Sequence, residues 1–224
     1  DPCVKYKWKP DGEIWNGFIT KISVGGQVQK LEWVTGFNAP KGMGIYENSL
    51  YVSDIDVLVE INTETGEVVS RHPFPNSKLL NDVTVDNSGK VYVSDFLAYA
   101  IYRLSDGQPE LVAQDDALED PNGVYAEDDR VIVASWGVIT NPETFETDVP
   151  GHVHTTSLSD RTVGSLGNTA PLGNLDGIEA DGKGNYFISD YFTGKILYFK
   201  PSGEVSTVLT LETSTADRGE CQVS

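Results

Sequence analysis

Apolar and polar residues alternate in short runs along almost the whole chain, broken every few positions by Gly, Asn, Asp or Pro, and no stretch carries a helical stripe. Residues 81–114 hold the pattern in its clearest form. Val83-Thr-Val-Asp86 alternates, Asn87-Ser-Gly89 supplies a turn, and Val91-Tyr-Val-Ser94 reads as a second strand. Ala100-Ile-Tyr-Arg-Leu104 follows as a third strand, and Asp106-Gly107 turns the chain into Pro109-Glu-Leu-Val-Ala113, a fourth. The same third-to-fourth turn recurs at Gly25-Gly26, Thr65-Gly66 and Ser202-Gly203, where glycine tolerates the positive φ of a tight hairpin.

This unit repeats. Pro40-Lys41-Gly-Met-Gly-Ile45, Leu80-Asn81-Asp-Val-Thr-Val85, Pro121-Asn122-Gly-Val-Tyr-Ala126, Leu175-Asp176-Gly-Ile-Glu-Ala180 and Ala216-Asp217-Arg-Gly219 place one polar residue at spacings of 40, 41, 54 and 41. Roughly thirteen residues later come Tyr51-Val-Ser-Asp54, Tyr92-Val-Ser-Asp95, Ile132-Val-Ala-Ser135 and Phe187-Ile-Ser-Asp190. Four short antiparallel strands in a period near forty describe a propeller blade. The longest step contains one insertion, about residues 138–149, polar and expected as a surface loop that can overhang a pocket.

The blades read as approximately 3–38, 39–78, 79–118, 119–172 and 173–214, with a partial unit at 215–224. The expected architecture is therefore an all-β, six-bladed β-propeller with four-stranded antiparallel blades, the last one truncated after Asp217. Cys3 falls where the first unit would carry its polar residue, and Cys221 lies in the last. In a closed ring these ends are neighbours, so the pair either staples the closure in an oxidising compartment or remains two unrelated thiols. Secreted or periplasmic life is slightly favoured over cytoplasmic.

Composition narrows the partners. A formal charge of −18 over 224 residues opposes nucleic acid and anionic membrane, both of which need a concentrated basic face, and no eighteen-residue apolar span occurs. A small molecule or a cation suits the chain better.

The recurrent polar position supplies the candidate site. In a propeller the innermost strand of each blade borders the central channel, so Lys41, Asn81, Asn122, Asp176 and Asp217 should meet at one mouth. Asn and Asp oxygens are the hard donors that calcium prefers. Two carboxylates about 5 Å apart repel by about 3 kcal/mol at an effective dielectric near 20, which favours a bound cation or a proton. Two other arrangements use the same residues: Lys41 neutralising the acids, or Asn and Asp binding nearby backbone groups.

Elsewhere the chemistry is thinner. His152 and His154 alternate across Val153, so both rings face one side of a strand, compatible with a metal pair or an ordinary strand face. His72 has no partner in sequence. Ser53-Asp54, Ser94-Asp95 and Ser189-Asp190 recur with the blade, as residues do that satisfy backbone at strand ends. Trp136 and His152 are candidate pocket-wall residues with Lys41, and Trp136 is equally an aromatic packed between blades.

Ala39-Pro-Lys-Gly-Met-Gly-Ile-Tyr46, Leu80-Asn-Asp-Val-Thr-Val-Asp86, Val131-Ile-Val-Ala-Ser-Trp-Gly137 and Asn174-Leu-Asp-Gly-Ile-Glu-Ala-Asp181 resemble the regucalcin, gluconolactonase and luciferin-regenerating-enzyme family of six-bladed propellers. The resemblance implies one divalent cation, usually calcium, at the channel mouth, and hydrolysis of lactones, esters or organophosphates. It implies Asn81, Asn122 and Asp176 as ligands, with Asp176 also the nucleophile or general base. The family's further glutamate ligand would fall at Pro2-Cys3-Val4, which lacks it; Asp217 or Glu13 would have to compensate. The expected function is thus a calcium-type hydrolase of a small molecule, and the alternative is a noncatalytic propeller that binds a ligand or protein.

Overall fold

A computed structural model describes residues 17–167 and 170–211. Cys3, Glu13, Asp217 and Cys221 lie outside the described residues.

Among the described residues the protein is all-β apart from single 3-10 turns at Phe96–Ala98 and Asp116–Leu118. β1 (Gly17–Ile22) and β2 (Val28–Phe37) form a hairpin. Four four-stranded meanders follow. The first joins β3 (Pro40–Tyr46), β4 (Ser49–Asp54), β5 (Val57–Asn62) and β6 (Val68–Pro73), and the second β7 (Leu80–Val85), β8 (Val91–Asp95), β9 (Ala100–Ser105) and β10 (Gln108–Gln114). The third joins β11 (Pro121–Ala126) and β12 (Arg130–Ser135) to β15 (Val153–Ser157) and β16 (Val163–Ser165), with a small hairpin, β13 (Ile139–Asn141) and β14 (Glu146–Thr147), inserted between. The fourth comprises β17 (Leu175–Ala180), β18 (Tyr186–Asp190), β19 (Lys195–Phe199) and β20 (Val205–Thr210). Every pairing is antiparallel, and the first strands β3, β7, β11 and β17 lie side by side in that order. These are propeller blades around a common inner edge.

The core lies between blades rather than within any one of them. Val131, Val133 and Val124 pack against Tyr92, Ile101 and Val112 of the preceding blade, whereas Ile132, Ala134 and Val153 pack against Leu175, Ile188 and Phe199 of the following one. Successive strand residues point to opposite faces, so a blade buried on both sides needs an unbroken apolar run, which is why Val131-Ile-Val-Ala134 does not alternate. Leu58 and Phe74 meet Leu80, Val83 and Val93 at the next junction, and Val34 and Phe37 meet Val52, Val59 and Ile61 at the one before. Each fully buried Leu, Ile or Phe contributes about 1.5–3 kcal/mol relative to exposure.

Turn chemistry agrees with the strand order. Gly66 and Gly107, in the hairpins between third and fourth strands, sit at φ 76° and 74°, a region that a side chain with a Cβ enters only at a cost.

Candidate functional site

Each inner strand is bulged near its start. The register slips between Pro40 and Met43, Leu80 and Val83, Pro121 and Gly123, and Leu175 and Ile178. Lys41, Asn81, Asn122 and Asp176 occupy these slips. A bulge re-aims the side chains it carries and ends regular pairing, so four neighbouring strands redirect one polar residue each at the same end of the molecule.

Serines fasten the bulges to one another. Ser53 Oγ accepts from Gly42 N at 3.1 Å and donates to the Asn81 carbonyl of the next blade. Ser94 Oγ accepts from Asp82 N at 2.9 Å and donates to the Asn122 carbonyl at 2.7 Å. Ser189 Oγ accepts from Gly177 N at 2.8 Å. The aspartate after each serine holds the chain that enters an inner strand: Asp54 accepts from Asn38 N and Ala39 N, and Asp95 from Lys78 N and Leu79 N. Glycine beside the bulge allows neighbouring strands to close in. A Cβ on Gly42 would overlap the Asp82 backbone, and one on Gly123 the Asp176 carbonyl.

The electrostatics of this mouth are unfavourable to its own acids. Asp82, beside Asn81, accepts from Val124 N of the adjacent inner strand and from Val83 N, both at 2.9 Å. Burial nevertheless pushes its pKa up to about 7, and the charges of Asp176 and Glu179 push the same way. Asp176 is also raised by burial, an effect offset in part by a hydrogen bond from Asn122 and by the Lys41 ammonium. Lys41 is exposed along its length, yet desolvation of its ammonium lowers its pKa while Asp176 opposes the change. Asn122 is 3% exposed. Its Nδ2 donates to the Leu175 carbonyl at 3.3 Å, and its Oδ1 is buried without a partner. Leaving such an oxygen unsatisfied costs about 1–3 kcal/mol.

Asp82 was not among the residues expected from the repeat, although a signal was present. Gly42, Gly123 and Gly177 hold the equivalent place in the other three blades, so Asp82 interrupts the repeat.

Trp136 is packed inside the protein. Its ring lies 6.0 Å from Phe96, 5.3 Å from Tyr191 and 5.2 Å from Phe192, and its Nε1 donates to the Phe145 carbonyl at 2.8 Å. Phe145 belongs to the 138–149 insertion, which forms the β13–β14 hairpin and stacks on Phe96 at 6.1 Å. Trp136 thus anchors the insertion to three blades.

His152 precedes β15 and His154 lies on it, with their rings 6.0 Å apart. A third group joins them from 33 residues upstream. Glu119 Oε2 stands 2.7 Å from His152 Nδ1 and 3.4 Å from His154 Nε2, and the three donor atoms lie within 4.8 Å of one another. His154 is buried, which lowers its pKa, while Glu119 counteracts the shift. Glu119 and Asp120 both adopt left-handed backbone, φ 51° and 54°, a conformation that costs a non-glycine residue about 1–3 kcal/mol.

No protein-family model matches the chain, and no curated protein matches it by sequence. Solved structures do match. A chain of a nidogen–laminin complex superposes with a TM-score of 0.69 at 14% identity, covering 86% of this chain and 75% of that one. Virginiamycin B lyase from Staphylococcus aureus with quinupristin gives 0.62 at 14% identity over 84% and 61%, and a streptogramin B lyase gives 0.59 at 11% over 75% and 53%. The likeness is one of fold. This chain spans 53% and 61% of the streptogramin B and virginiamycin B lyase chains respectively, and at these identities the shared β-propeller carries no activity with it.

Proposed function

We propose that the protein holds one divalent cation, calcium, at the mouth bordered by β7, β11 and β17, and hydrolyses a small-molecule lactone or ester there, as in the regucalcin and gluconolactonase family that its repeat residues resemble. One observation carries this reading: the buried, unpartnered Oδ1 of Asn122 lies on the bulge next to that of Asp176, whose carboxylate is itself raised by burial. Both groups are short of positive charge, and an oxygen-only donor set suits a hard cation. The residues therefore fit the group. Asn122 and Asp176 would hold it, with Asn81 on the adjoining bulge and Asp217 as the further acid expected from the repeat. A cation bound there supplies a Lewis acid for the substrate's carbonyl oxygen.

The chain's own residues supply the rest. Asp176 takes the proton of the attacking water or adds to the carbonyl itself. Lys41, electrostatically coupled to Asp176, faces the charge that develops on the reacting oxygen. Asp82, fixed by two backbone N–H groups, keeps negative potential at the mouth once ionised. The net charge of −18 favours a cation and a small molecule over nucleic acid or an anionic membrane as partners.

The test is calcium titration of the protein followed by assay on a panel of small lactones and esters. Turnover that requires calcium and falls by about 10²–10⁴-fold in Asp176→Ala supports the reading. Calcium binding with no turnover on the panel, and unaffected by that substitution, would instead assign a noncatalytic binding propeller.

A further inference from the structure

We propose that Glu119, His152 and His154 form a second metal site, for a borderline dication such as zinc, seated between two blades and separate from the axial mouth. The donor chemistry distinguishes the two. Two imidazole nitrogens and one carboxylate are a zinc-type set that leaves a fourth position open, whereas the mouth offers oxygens alone. The geometry is close to ready. Zinc bonds of about 2.0–2.1 Å place tetrahedral ligand atoms about 3.3 Å apart, and His154 Nε2 already stands 3.4 Å from Glu119 Oε2. His152 Nδ1, at 2.7 Å from the same oxygen, needs only to open slightly. Both ring nitrogens converge on one oxygen atom, so a cation bound by all three atoms takes the place of two hydrogen bonds to that oxygen.

The scaffold around these three residues departs from the repeat in a way that creates the site. Asp54 and Asp95, each following the blade's serine, draw in the backbone N–H groups of the segment that enters the inner strand. In the third complete blade that position is Ser135, which pairs with Pro121 as Asp54 pairs with Pro40 and Asp95 with Leu80, and its Oγ is buried without a partner. The entering segment is held by its carbonyls, Trp136 N donating to Asp120 O at 3.0 Å as Phe96 N does to Leu79 O, and Gly137 N donating to Glu119 O at 2.9 Å. Glu119 and Asp120 are left-handed, and the Glu119 side chain meets the histidine pair. The histidines sit on firm ground. His154 pairs with Val133 on one side and Ser165 on the other, so one ligand is fixed in the middle of a sheet.

The experiment is calorimetric titration of metal-stripped protein with Zn²⁺, and with Co²⁺ as a spectroscopic reporter, on the wild type and on Glu119→Gln, His152→Asn, His154→Asn and Asp176→Asn. The expected result is one zinc per chain, with affinity at least about tenfold weaker in each of the first three variants and unchanged in Asp176→Asn. Bound Co²⁺ should give visible bands of tetrahedral intensity that the same three variants abolish. Should His154→Asn not fold, the part-exposed positions Glu119 and His152 decide the matter. Absence of zinc binding, zinc affinity indifferent to Glu119→Gln and His152→Asn, or loss of the zinc site in Asp176→Asn would each overturn the proposal.

Discussion

The two ends of the blades treat the same residue in opposite ways. At the turns that join first to second strands, Asp86 accepts from Ser88 N, Ser88 Oγ and Lys90 N, and Asp181 accepts from Lys183 N, Asn185 N, Asn185 Nδ2 and Tyr198 OH. Hydrogen bonds to the ionised form hold both carboxyls below the usual range, against the upward push of burial that is the largest single influence on Asp86. At the bulged end, burial lifts Asp82, Asp95, Asp120 and Asp176 above it. One end uses its acids to stabilise the fold; the other holds them where charge is costly. A repeat protein can carry such tension at one mouth because the core between its blades supplies the stability elsewhere.

The contrast between the two ends is strongest at Asn122. Asn122→Leu removes the orphaned oxygen together with the amide that donates to Leu175 O and Asp176, so binding at the mouth should fall by about a hundredfold while the melting temperature in chelator changes little, read by calcium calorimetry and thermal melts together. The reverse is expected at the far end. Asp86→Ala strands the N–H groups of Ser88 and Lys90 and should cost about 1–3 kcal/mol in urea unfolding, with calcium binding unchanged. Its lowered pKa also sets a pH window: the stability it gives is present above its unfolded value of 3.8 and is lost as the pH falls through the folded value, so the variant should show a flatter acid limb. The smallest effects compare two serines. Ser94→Ala removes bonds that join two bulges and should cost about 0.5–1.5 kcal/mol, whereas Ser135→Ala, whose hydroxyl has no partner, should be neutral or slightly stabilising.

The blade pattern was legible because it recurs. Lys41, Asn81, Asn122 and Asp176 could be aligned by period, and the same period placed Ser53-Asp54 and Ser94-Asp95 as backbone partners at strand ends. What repetition conceals is the residue that differs. Asp82 stands where the other described inner strands have glycine, and Ser135 stands where three blades have aspartate. Each substitution marks a place where side chains gather, at the mouth and beside Glu119. Glu119 itself was out of reach, because 33 residues separate it from His152 and only a left-handed turn brings them together. Periodicity reports the scaffold, and its interruptions report the chemistry.

The bulged end holds buried carboxyls where charge is costly until a cation arrives. For Asp82 the linkage runs opposite to that of Asp86: with a folded value of about 7 against 3.8, the stability it gives is complete below 3.8 and is lost as the pH rises through about 7. Calcium must therefore displace protons at mildly acid pH. The direct measurement is calcium calorimetry at about pH 6 and about pH 8.5 in buffers of different ionisation enthalpy, which counts protons released per ion bound. Proton release and weaker affinity are expected at the lower pH, with both differences reduced in Asp82→Asn and binding itself lost in Asp176→Ala; calcium binding that releases no protons and is indifferent to pH, or no calcium binding at either pH, would mean that the buried carboxyls do not hold the ion.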